Sequence, residues 1–180
     1  MSHVIIIGAG PAGACLSLIF SQRDIPVTLI ERRRNFDREF RGEILMPSGF
    51  EALMQLGIDK KLNKVSNHSP RQVKFFLNKK QILEINQKEV LGEQSIKAIS
   101  QVDLLETLVK ECKRYPCFKF YRGASVKSLI KEDNRVNGVN FLLDGGEKKE
   151  IYADLVIGAD GRNSIVRKEC DLTAYEYNTP

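Results

Sequence analysis

The chain opens on an unbroken apolar run, Val4-Ile5-Ile6-Ile7, which gives way at once to Gly8-Ala9-Gly10-Pro11-Ala12-Gly13. Four β-branched residues closed by a glycine predict a buried strand, and the small residues behind them predict a tight turn into a helix. A second apolar run, Val27-Thr28-Leu29-Ile30, ends in Glu31. Residues 32–42 then invert the polarity; they are too charged for a core element and read as a surface or ligand-facing loop. Pro47-Ser48 leads into a short helix through Leu56. Its start is read from Ser48 and Glu51 at capping-box spacing, its apolar face from Phe50, Leu53, Met54 and Leu56, and its stop from Gly57. Residues 72–86 read as two strands around the turn Asn78-Lys79-Lys80-Gln81, and residues 87–94 as a polar connection. Between Ser100 and Arg114 the apolar positions Val102, Leu104, Leu105, Leu108, Val109 and Cys112 recur at helical spacing. Residues 119–121, 125–132, 136–143 and 150–157 are strand-like, and their middle forms a β-meander joined at Glu132-Asp133-Asn134 and Asp144-Gly145-Gly146. The last apolar stretch, Asp154-Leu155-Val156-Ile157, suits a buried parallel strand that returns the chain to the central sheet. A helix over residues 164–170 follows, and residues 173–180 read as a further strand.

The first unit has a chemistry of its own. Gly8 permits the turn off the strand, Gly10 lets the backbone approach a pyrophosphate, and Gly13 allows close packing of the helix. Pro11 and Ala12 open that helix, whose first amides and dipole attract phosphate without a cationic side chain. Glu31 stands eighteen residues after Gly13, near the spacing at which an acid meets ribose hydroxyls. At this point NAD and FAD are equally suited.

Composition narrows the rest. With 180 residues, 42% hydrophobic and 28% charged, the chain is a globular one with a sizeable core. No apolar run approaches the roughly twenty residues of a membrane span, and no leader is visible, so a cytoplasmic protein is expected. Cys15, Cys112, Cys117 and Cys170 lack paired spacing, and with only His3 and His68 beside them no metal site is expected. The net charge of +5 is spread over lysine pairs without a basic, aromatic-interleaved stripe, which argues against nucleic-acid binding.

Two separated segments then coincide: the Gly8 to Gly13 loop with Glu31, and Asp154-Leu155-Val156-Ile157-Gly158-Ala159-Asp160-Gly161-Arg162-Asn163-Ser164-Ile165-Val166-Arg167. Together they resemble the group A flavoprotein monooxygenases, the family of p-hydroxybenzoate hydroxylase, with the second segment similar to that family's "DG" fingerprint. The resemblance implies an α/β fold: a Rossmann-like FAD-binding domain with a central parallel sheet, a β-meander and part of an inserted substrate-domain sheet. It implies FAD-binding segments at 1–70 and 99–172, inserted strands at 71–98, and the start of a truncated substrate domain at 173–180. By the same resemblance Arg41 reaches the FAD pyrophosphate, Gln101 contacts the flavin side, Val126 touches the adenine, and Asp160 links FAD to the path of NAD(P)H. Arg32 and Arg33 follow the ribose acid, and either could stack over the adenine, a solvated charge run being the alternative; by the resemblance, Arg167 matches an arginine implicated in NAD(P)H binding. The implied activity is hydroxylation of an aromatic or polyketide-like small molecule, with NAD(P)H as transient reductant of FAD and O2 as co-substrate. A flavin-dependent reductase or halogenase on the same scaffold, or a non-catalytic nucleotide-binding fragment, are the alternatives. The family's third fingerprint, a Gly-Asp segment for the ribityl chain, has no match, so the resemblance covers an N-terminal portion of a protein about twice as long.

Overall fold

The computed structural model describes residues 2–37, 44–65, 67–91 and 96–175. Arg41, the expected pyrophosphate arginine, lies outside them. The chain divides into two compact units, Met1–Asn35 with Leu108–Pro180, and Phe36–Thr107.

The first unit is built on β1 (Val4–Ile7), α1 (Pro11–Ser21) and β2 (Val27–Glu31), every residue of both strands being buried. Pro11 at the first helical turn starts α1, because its missing N–H would lack an intrahelical partner there in any case. The Ser17 and Ser21 hydroxyls, buried along this helix, donate back to the Gly13 and Ser17 carbonyls.

The second unit holds β3 (Ile44–Leu45), α2 (Pro47–Gln55), α3 (Asp59–Leu62), β4 (Asn67–His68), β5 (Gln72–Leu77), β6 (Lys80–Asn86), α4 (Gln87–Leu91) and β7 (Lys97–Ile99). Strands β3, β7 and β4 form an antiparallel sheet and β5 pairs with β6 as a hairpin. Four sequence expectations change here. The capping box is absent: Met46 is the N-cap, no side chain caps the helix, and Pro47 supplies the start. Only Leu53 of the expected apolar face is buried. The connection after the hairpin begins with a helical turn, α4, and the hairpin turn is the two residues Asn78-Lys79, at φ 48° and 66°, as a right-twisted two-residue connection requires.

Helix α5 (Gln101–Cys112) crosses from the second unit into the first, starting where Ser100 Oγ accepts the Asp103 amide at 3.4 Å. Then come β8 (Phe118–Arg122), β9 (Ala124–Glu132), β10 (Arg135–Leu143), β11 (Lys148–Tyr152), β12 (Leu155–Gly158) and α6 (Ile165–Glu169). The parallel sheet has the order β12-β1-β2-β8, and β9, β10 and β11 form the antiparallel meander. Ile5, Ile7 and Ile30 of the sheet pack with Ala124, Val126, Leu129, Val139 and Phe141 of the meander in one core. Alternation along β1 leaves Val4 and Ile6 on the other face. Strand β12 is parallel, as its apolar run implied, but it is an edge strand with Leu155 48% exposed rather than a buried one. Residues 173–175 form no strand.

Candidate functional site

The register Ile7↔Gly158 between β1 and β12 brings the turn after each strand to the same end of the sheet. The contact is close. A methyl group at Gly8, whose φ is +99°, would overlap the Ala159 carbonyl and the Asp160 backbone. One at Gly13 would overlap the Gly8 carbonyl oxygen and meet Ala159 Cβ at 3.3 Å. Gly10 differs: its φ of −69° and ψ of 179° suit any residue, and no described residue stands within 4 Å of its absent Cβ. Gly10 therefore presents bare backbone at the start of α1, where no side chain among the described residues caps the helix. Uncapped amides at a helix start make an anion site.

Glu31 ends β2 beside this loop, 5% exposed. Its Oε2 accepts the Ala9 amide at 2.8 Å and its Oε1 the Arg33 amide at 2.9 Å. The Arg33 carbonyl accepts from the Gly123 amide at 3.3 Å, and the Gly123 carbonyl from the Asp144 amide at 2.9 Å. Arg34 Nε donates to Asp144 Oδ2 and closes the ring. Sequence reading missed this fastening, because Asp144 carries only an ordinary turn signal. Gly123, at φ +70° with no room for a Cβ beside Asp144, is the one trace of it in the sequence.

Asp160 stands on the other side of Gly8. Its Oδ2 accepts the Ile165 amide at 2.7 Å and the Val166 amide at 3.4 Å, while Oδ1 is buried with no partner among the described residues. Ser164 Oγ accepts the Arg167 amide at 3.0 Å, and Arg167 Nη2 donates to the Arg162 carbonyl at 2.6 Å. The structure thus gathers Gly8, Gly10, Pro11, Ala12, Gly13, Glu31 and Asp160 at one end of the sheet. Arg32 is exposed beside Glu31, Val126 lies in the core between sheet and meander, and half-buried Gln101 belongs to the other unit. Among the described residues no cluster of His, Cys, Asp and Glu could hold a metal ion, and no helix is long and apolar enough to cross a membrane.

A parallel sheet with a glycine loop between β1 and α1 and a buried acid closing β2 defines a dinucleotide-binding α/β protein. The chain belongs to the FAD binding domain family, which matches residues 1–179, and its dinucleotide is FAD. The 6-methylpretetramide 4-monooxygenase of Streptomyces rimosus is 33% identical over 168 residues, 93% of this chain and 40% of the relative. Squalene monooxygenase of Mus musculus is 31% identical over 180 residues, 92% of this chain and 30% of the relative. The chain therefore spans less than half the length of these relatives. In fold, p-nitrophenol 4-monooxygenase from Pseudomonas putida DLL-E4 superposes with a TM-score of 0.84 at 19% identity, covering 96% of this chain and 44% of that one.

Proposed function

We propose that this chain is the FAD-binding part of an NAD(P)H-dependent monooxygenase that hydroxylates an aromatic or polyketide-like small molecule with O2. The observation that carries the reading is the 33% identity to 6-methylpretetramide 4-monooxygenase along 93% of the chain. The residues present fit FAD. The bare Gly10 backbone and uncapped start of α1 suit its pyrophosphate, Glu31 is an acid at the end of β2 where a ribose diol is met, and the Oδ1 of Asp160, without a partner among the described residues, awaits a polar group beside Gly8. Arg41 for the pyrophosphate, Arg32 and Val126 for the adenine, and Gln101 for the flavin side complete the proposed set. When bound, FAD supplies the redox and oxygen chemistry. The chain's own groups anchor and orient it: the loop amides hold phosphate, a carboxylate at Glu31 favours a free 2′-hydroxyl, and Asp160 holds the start of α6 against the loop. Residues 71–98, which hold the β5–β6 hairpin, are proposed to supply inserted strands of the substrate domain. A cytoplasmic location accords with four cysteines that are all free thiols.

The test is the visible spectrum and a fluorescence titration of the purified protein with FAD, followed by NAD(P)H oxidation with polycyclic phenols in the enzyme that carries this chain. Uptake of FAD and phenol-stimulated NAD(P)H consumption are expected. Stimulation by non-aromatic substrates alone would refute the substrate class.

A further inference from the structure

Glu31 is read above as a ribose ligand, yet its two oxygens already hold backbone amides from two different segments. Oε2 takes Ala9, inside the phosphate loop, and Oε1 takes Arg33, two residues beyond the strand. A carboxylate offers about four lone-pair sites, so accepting these two amides is compatible with further partners. We propose that Glu31 is a positioning residue that fastens the phosphate loop to the segment on its adenosine side, so that the pyrophosphate site depends on Glu31 as much as any ribose contact does. The inference rests on the loop being the FAD pyrophosphate site.

Three features support it. The carboxylate is buried, where amide–carboxylate bonds are stronger and a lost acceptor is costly. The Ala9 amide lies between Gly8, which is pressed against Ala159, and Gly10, the bare backbone at the mouth, so its partner fixes the loop where ligand arrives. Arg33 is itself fastened through Gly123 and Asp144 to the meander, so the carboxylate pulls against a fixed point rather than a loose loop. Chemically the device needs two acceptor oxygens on one side chain. Gln offers one acceptor and one donor, which leaves one of the two amides facing an N–H.

Residue-resolved amide exchange of the flavin-free, nitrogen-labelled protein provides the test, with Glu31→Gln as the variant and the Ile6 and Leu29 amides as controls for the fold. The expected result is exchange about tenfold faster at Ala9, Arg33 or both, with Ile6 and Leu29 unchanged. Inorganic pyrophosphate, which has no ribose, is expected to bind the variant several-fold more weakly than the native protein. Unchanged exchange at both amides, or retained pyrophosphate affinity, overturns the proposal. FAD titration keeps the two readings apart. A native protein that takes up neither FAD nor pyrophosphate refutes the site itself. Weakened FAD binding with unchanged exchange and pyrophosphate affinity leaves Glu31 a ribose ligand and refutes the fastening role. Should Glu31→Gln unfold, Glu31→Asp withdraws both oxygens by one methylene while keeping the charge and is read in the same way.

Discussion

Gly10 and Gly13 lie three residues apart in one loop, and a methyl group meets opposite surroundings at the two positions. At Gly10 the backbone is ordinary and the space open; at Gly13 the Gly8 carbonyl already fills the place. Gly10→Ala is therefore expected to unfold in urea within about 0.5 kcal/mol of the native protein and to lose FAD affinity at least about tenfold, because only an approaching phosphate meets the methyl. Gly13→Ala is expected to lose about 1–3 kcal/mol of stability, through overlap with backbone that cannot step aside. Equal stability losses in the two variants would contradict the geometry. The glycine spacing and Glu31 were legible in the sequence because each answers a local demand of turn, close approach or strand end. The partners of Glu31 were not, since Ala9 and Arg33 donate through backbone amides that every residue but proline carries.

Elements were legible where their signal ran long enough to be periodic. Strand β1, helix α5 and the meander follow from apolar patterns of four residues or more and α1 from the small residues after the glycine turn, whereas β3 and β4, with two residues each, exist only because β7 pairs with both. The edge position of β12 was not legible, because an apolar run reports composition and the sheet order decides burial. The β5–β6 hairpin shows the same gap. Its strands were read correctly, but Phe76 and Ile82 are 62% and 60% exposed, and Phe75, Leu77 and Leu83 are exposed with them. A two-stranded ribbon has no second layer of its own, so this apolar surface is not a core and adds little to folding. Replacing Phe76 and Ile82 together by Ser is accordingly expected to leave the urea midpoint within experimental error and to lower concentration-dependent light scattering. A fall in the midpoint would show that these side chains are buried in the native protein.

At the scale of the molecule, the site joins the two ends of the sequence. Parallel pairing of β1 with β12 sets Asp160 against Gly8, and α5 brings its last turn back to α1, where Cys112 Sγ lies 4.0 Å from the Ala14 carbonyl and Cys117 Sγ 3.6 Å from that of Ser21. The thiols record how tightly this packing excludes water. Burial pushes Cys112 up to about 12, from an ordinary thiol value of 9.0, and raises Cys15 as well. A thiol that ionises more readily in the unfolded chain than in the folded one contributes stability that is complete below pH 9 and drains away as the pH climbs towards about 12. Cys112→Ala removes that dependence at the cost of a cavity whose penalty does not titrate. The stability advantage of the native protein over Cys112→Ala, from urea unfolding under reducing conditions, is thus expected to shrink by about 1.4 kcal/mol between about pH 8 and 10. The same packing should keep Cys112 unreactive to a thiol reagent at about pH 8 until the protein is denatured. A stability difference that stays constant across this range, or labelling of Cys112 in the folded protein, would mean that water reaches the junction of α1 and α5.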